Sequence, residues 1–65
     1  MKVEEIRALN DEEIARQLEA AHQELFDLRF RASTKQLVNH REIPRVKRTI
    51  ARMETVLRER ALAAE

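Results

Sequence analysis

Apolar residues recur along this chain at alternating gaps of three and four, in two separate runs. The first run is Ile14, Leu18, Ala21, Leu25, Leu28 and Ala32. The second is Ile43, Val46, Ile50, Met53 and Leu57. Seven residues make close to two α-helical turns, so this spacing lines up each run as one stripe on a helix. In a strand, where side chains alternate with period two, the same residues would scatter over both faces. The chain has no glycine and one proline, and it is rich in Leu, Ala, Glu and Arg, which are strong helix formers. Tight turns between strands lean on glycine or asparagine for positive φ, which disfavours an all-β chain. The pattern predicts an all-α fold, an antiparallel two-helix hairpin of coiled-coil type with a short N-terminal helix.

The boundaries follow from local signals. A short helix is expected over about 2–9, with Val3, Ile6 and Leu9 on one side, folding back on the open end of the hairpin through Ile6 and Leu9. Asn10 then interrupts it. Asn10 and Glu13 have the capping-box spacing, and the acids at 11–13 suit the positive end of a helix dipole. A long helix is predicted over about 11–33, with Phe26 and Phe30 beside the stripe and widening it toward the far end. The stretch from Ser33 to Gln36 lacks the pattern, so the connection is placed at about 34–39. Asn39 and Glu42 repeat the capping-box spacing, and a second long helix is predicted over about 40–62. Pro44 is awkward there, because a proline inside a helix removes a hydrogen bond and crowds the preceding turn. Either the helix proper starts at Pro44, or its first turn is loose. One long helix pairing with a second chain is the competing geometry, and the interruption before Asn39 favours the hairpin.

Sixty-five residues suffice for one small domain with a modest core. Chains of this size usually add disulfides, a metal or a partner. Cysteine is absent, which removes disulfides and thiolate metal sites and leaves the partner. No apolar run approaches the ~20 residues that span a bilayer. The first six residues are charged and lack the apolar stretch of a signal peptide. These features predict a soluble, intracellular protein, marginally stable alone, that works inside an assembly.

Catalysis finds no support. Ser33 is the only serine, His22 and His40 fall on different elements, and each has an acid two residues on, which a helix turns to another face. No zinc-protease, phosphate-loop or dinucleotide motif occurs. The pairs Glu4/Glu5 and Glu12/Glu13 read as helix-start and solvated acids. No cofactor or metal is expected, and both histidines read as surface residues, His40 with a further role as a phosphate or base contact.

The net charge of +1 conceals a division. Residues 1–27 hold three basic against eight acidic side chains, a net −5. Residues 28–60 hold ten against three, a net +7. Two readings fit: halves that attract each other, or a basic half that meets a polyanion. Arg41, Arg45, Arg48 and Arg52 recur at gaps of 4, 3 and 4, which forms a stripe roughly 140° around the helix from the apolar one. A solvated face would mix signs or use lysine, whereas the guanidinium fork matches phosphate oxygens. Lys47 and Arg58 flank the stripe. Arg29, Arg31 and Lys35 add charge from the end of the first long helix and the connection. Folded as a hairpin, the connected end becomes basic and the open end acidic. A nucleic acid is favoured as the partner. An adaptor hairpin for an acidic protein is the rival, distinguished by sedimentation with and without RNA.

The stretch Glu24-Leu25-Phe26-Asp27-Leu28-Arg29-Phe30 closely resembles the ELFNLRF signature of the bacterial family of large-subunit ribosomal protein twenty-nine. Gln36-Leu37 with Asn39 is similar to that family's turn. Residues 46–52 and 55–60 are similar to its C-terminal signature. This resemblance, which spans nearly the whole chain, implies a helical hairpin on large-subunit ribosomal RNA near the polypeptide exit tunnel, in the cytoplasm. It also implies ribosomal protein twenty-three as a neighbour and proximity to factors that meet the nascent chain. It puts Arg29, Gln36, Lys47, Arg48 and Arg52 on positions expected to face RNA. With the charge pattern, the expected RNA-binding set is Arg29, Arg31, Lys35, Gln36, His40, Arg41, Arg45, Lys47, Arg48 and Arg52. Three departures stand out. Lys35 replaces a frequent glycine, so the turn must find positive φ elsewhere, with Asn39 the tolerant candidate, or do without it. Arg31 replaces a usual glutamine. Pro44 replaces a basic or polar helical residue.

Overall fold

The element order is α1 (Val3–Arg7), α2 (Asp11–Ser33) and α3 (Glu42–Ala63), in a computed structural model that describes residues 2–35 and 39–64. Helices α2 and α3 run antiparallel along a rod of 46 × 17 × 16 Å. Pairs from His22–Glu54 to Asp11–Arg60 bridge the two helices along this length. Helix α1 turns back and packs chiefly on α3. Among the described residues there are helices and no strand, so the architecture is the all-α hairpin with a short N-terminal helix that the spacing predicts.

The start of α2 is closed as the sequence implies. Asn10 is its N-cap: the side-chain oxygen accepts the Glu13 N–H at 2.8 Å, and the Glu13 carboxylate accepts the Asn10 N–H at 3.4 Å. Both halves of the capping box are made, satisfying donors that have no partner inside the helix. At the other end the Lys35 N–H reaches back to the Ala32 carbonyl at 3.2 Å. Lys35 itself takes φ 62°. Among the described residues the left-handed one is therefore Lys35 and not Asn39. One such residue just past a helix end turns the chain away and occupies an otherwise free carbonyl.

Helix α3 starts at Glu42, two residues later than expected. Asn39 does not form the second capping box. Its side-chain oxygen accepts the Arg41 N–H at 3.1 Å, and its carbonyl accepts the Glu42 N–H at 3.0 Å, a turn ahead of the helix. Pro44 explains the shift. A proline ring collides with a helical carbonyl four residues back, here His40, so the helix cannot begin that early. Within the first turn of α3 the missing N–H of Pro44 costs nothing, because donors there lack intrahelical partners. The next bond, Arg45 N–H to the Arg41 carbonyl, is long at 3.4 Å.

The core comprises Ile6 of α1, Ile14, Ala21 and Leu25 of α2, and Val46, Ile50, Met53 and Val56 of α3. Leu18, Leu28, Ile43, Leu57, Val3 and Leu9 pack at its edge. Two differences from the expected stripe are informative. In α3 the last buried residue is Val56, with Leu57 half-buried, because α1 approaches the Val56 side. Phe26 and Phe30 do not widen the core: they are 73% and 55% exposed. Leu25 and Leu28 already fill the line of contact between two helices, and side chains a further 100° around point past the partner.

Candidate nucleic-acid interface

Every described member of the expected RNA-binding set is exposed: Arg29, Arg31, Lys35, His40, Arg41, Arg45, Lys47, Arg48 and Arg52. Gln36 lies outside the described residues. The fold gathers most of the set around the connected end, with Arg52 farther along α3 beside α1. Arg29 and Arg31 lie in the last turns of α2, Lys35 just after it, His40 and Arg41 in the turn before α3, and the others along α3.

Within this basic end the cations differ in availability. Arg45 donates through Nε to Glu42 Oε2 at 3.1 Å and also through Nη2 to the same oxygen. Its guanidinium lies 3.9 Å from Glu24 as well. The hydrogen bonds and charge of Glu42, then the charge of Glu24, hold Arg45 above its already high ordinary pKa, so it stays a cation whose charge two acids offset. Arg31 pairs with Asp27 at 3.0 Å across one helical turn. Arg52 lines a groove of about 220 Å³ between α1 and α3, with Val3, Arg7 and Glu59. By contrast Arg29, Arg41, Lys47 and Arg48 form no ion pair among the described residues. Lys35 is likewise without an ion pair among them. The arginine stripe of α3 is therefore geometrically present, but its most available cations are Arg41 and Arg48, joined by Arg29 and Lys47 from the neighbouring flank. A sequence signal for this existed: Glu42 stands three residues before Arg45, a pairing distance on a helix.

The open end is arranged differently. Arg60 donates to Asp11 Oδ1 at 2.7 Å, to the Arg7 carbonyl at 3.1 Å and to the Leu9 carbonyl at 2.8 Å. One side chain thus ties the end of α3 to the α1–α2 junction. Arg7 adds a 3.3 Å pair with Glu59. Arg60 counted toward the basic half in the charge pattern, yet it works as a structural clamp. Only the tertiary fold, which brings residue 60 beside residues 7–11, reveals this.

Among the described residues no group of His, Asp and Glu is placed to hold a metal, and no helix is long and apolar enough to cross a membrane. The α1–α3 groove is smaller than the ~300–1,000 Å³ usual for small-molecule sites. What the surface offers is a set of exposed cations at one end of a rod, suited to several phosphates spaced along a backbone.

Residues 4–60 match the family described as Ribosomal L29 protein. The chain is 61% identical over 62 residues to the large ribosomal subunit protein uL29 of Dehalococcoides mccartyi, covering 95% of each chain. It is 57% identical over 58 residues to the uL29 of Corynebacterium jeikeium, covering 89% of this chain and 75% of that one. It is 50% identical over 64 residues to the uL29 of Geobacillus stearothermophilus, covering 98% and 97%.

Proposed function

The chain belongs to the ribosomal L29 protein family, whose members are non-enzymatic constituents of the large ribosomal subunit, and from that premise we propose that it binds ribosomal RNA through the basic connected end of its hairpin. The observation that carries this reading is the group of exposed cations without acidic partners among the described residues: Arg29, Lys35, Arg41, Lys47 and Arg48. Like charges gathered without counterions repel one another, and a polyanion relieves that repulsion while releasing its own condensed cations. The arginines fork onto phosphate oxygens. Lys47 and Lys35 act as point charges. RNA helices hide their base edges in a deep groove, so backbone shape supplies most of the specificity. Arg31, His40, Arg45, Arg52 and Gln36 belong to the same proposed interface, with Arg45 contributing the least because Glu42 and Glu24 occupy it.

Membership in the family supports a place in the cytoplasm, in the large subunit. The finer reading places the hairpin near the polypeptide exit tunnel, beside ribosomal protein twenty-three and within reach of factors that meet the nascent chain. The acidic open end, pointing away from the cations, is the face left for such protein neighbours. Cross-linking from residues of α1 in intact subunits is expected to capture ribosomal protein twenty-three. Cross-links confined to other proteins would remove that neighbour from the reading.

The RNA contact is tested by replacing Arg29, Lys47 and Arg48 together with glutamine. Each phosphate contact contributes about 0.7–0.9 to the slope of log affinity against log salt. The triple variant should bind large-subunit RNA fragments more weakly at low salt, with the slope reduced by about 2–3. Unchanged affinity and slope would show that the cations lie off the interface.

A further inference from the structure

Phe26 and Phe30 are the feature that the basic end does not yet explain. They are four residues apart on α2, which puts both rings on one face, and they stand 73% and 55% exposed. Isolated apolar residues on a surface need no explanation, but two large adjacent rings form a patch. Arg29 lies between them in sequence, one turn from Phe26, exposed and without an ion pair among the described residues.

The opposite helix adds a second cation to this flank. His22 Nε2 lies 3.7 Å from Glu54 Oε1, which sets the register of α2 against α3 here. Seven residues toward the connection on each helix, about two turns, Arg29 comes level with Lys47. Lys47 is also exposed and without an ion pair among the described residues. The other flank of the hairpin has neither property, since there Glu24, Glu42 and Arg45 offset one another. One flank therefore carries two exposed aromatic rings beside two available cations.

That combination selects among occupants. An apolar protein surface would cover the rings but bury Arg29 and Lys47 beside no acid, at a desolvation cost. A nucleotide brings both complements at once, a flat base for the ring and a phosphate for the cation. Bases inside a duplex have no free face, so the nucleotides concerned are bulged or looped out. We propose that Phe26 and Phe30 are a stacking platform for unpaired bases of ribosomal RNA, with Arg29 and Lys47 on the flanking phosphates. The proposal rests on the RNA-binding reading above and adds to it a second kind of contact. Because every base has a π-face, the platform recognises an extruded nucleotide without reading its identity.

The test compares the full chain with two double variants, Phe26→Leu/Phe30→Leu and Phe26→Tyr/Phe30→Tyr. Leucine keeps apolar area and helix propensity but removes the ring, and tyrosine keeps the ring. Both positions are exposed, so circular dichroism should show unchanged helix content in each variant. Binding is measured to large-subunit ribosomal RNA fragments carrying 2-aminopurine at unpaired positions. The leucine pair is expected to bind about tenfold more weakly or worse, with an unchanged salt slope and no quenching of 2-aminopurine. The tyrosine pair should keep both affinity and quenching. Equal affinity and quenching for the leucine pair would overturn the platform. So would a leucine pair that binds RNA normally yet fails to enter large subunits, which would assign the patch to a protein. A wild-type chain that fails to bind the RNA fragments at low salt would instead sink the RNA reading itself, and the platform with it.

Discussion

At the open end of the hairpin, Ile6, Ile14, Met53 and Val56 are each at most 3% exposed. At the connected end Leu28 and Ile43 are only half-buried, and Phe26 and Phe30 face solvent. The helices are the same two. The difference is the third one: α1 lies against α3 at the open end only. Two helices meet along a line, so side chains at its edge, such as Leu28 and Ile43, keep one side toward water. Where a third helix closes that side, burial becomes complete. The polar residues follow the same division. Arg60 and Arg7 are used up internally at the open end, while Arg29, Lys47 and Arg48 have no acid among the described residues at the other. One end holds the fold together and the other keeps cations that no acid offsets among the described residues.

The largest effect should separate the two ends by their cores. Ile14→Ala or Met53→Ala removes a fully surrounded side chain, which costs about 2–5 kcal/mol and should abolish the helical circular dichroism of a chain this small. Leu28→Ala, half-buried, should cost about 1–2 kcal/mol, since less apolar area returns to water. Comparable losses at both ends, measured by denaturant titration, would break the comparison.

A smaller effect is expected from the clamp. Arg60→Met keeps the aliphatic stem but loses the bonds to Asp11 and to the Arg7 and Leu9 carbonyls. Charged hydrogen bonds contribute about 1.5–3 kcal/mol, reduced here because the Arg60 side chain is 31% exposed. A net loss of about 1–2 kcal/mol should appear mainly as faster hydrogen exchange at residues 3–13. Equal acceleration at the connected end would mean that the clamp stabilises the whole hairpin rather than the α1 junction.

The smallest effect concerns the turn. Lys35 holds φ 62°, which a side chain disfavours. Lys35→Gly relieves that strain but adds freedom to the unfolded chain, for a net gain of about 0.5–1 kcal/mol. If Lys35 touches a phosphate, the same change lowers the salt slope of RNA binding by about 0.7–0.9. A rise in melting temperature with an unaltered slope would sharpen the map by removing Lys35 from the interface.

Much of this was legible beforehand because it is local. The 3–4 spacing placed Ile14, Leu25, Val46, Ile50 and Met53 inside, and Asn10 with Glu13 announced the start of α2. The resemblance rested on short motifs and named the family that the comparisons support. Other features depended on neighbours. The start of α3 moved because the Pro44 ring excludes a helical His40 carbonyl, a conflict visible in the sequence but resolvable two ways. A side chain disfavours positive φ at position 35 and Asn39 tolerates it better, yet the end of α2 puts the left-handed residue at Lys35 itself. Equal-looking arginines separated into Arg45, offset by Glu42 and Glu24, and Arg48, which has no such acid.

By itself the sequence determined that the chain is helical, where the stripe runs, and which end is basic, because hydrophobic period, capping and charge act over one or two turns. Which residues that stripe buries completely, which aromatics it leaves outside, and which cations stay available were decided by the tertiary structure. Those outcomes depend on a third helix closing one end, and on side chains from residues some fifty positions apart, such as Arg7 and Glu59, meeting across it.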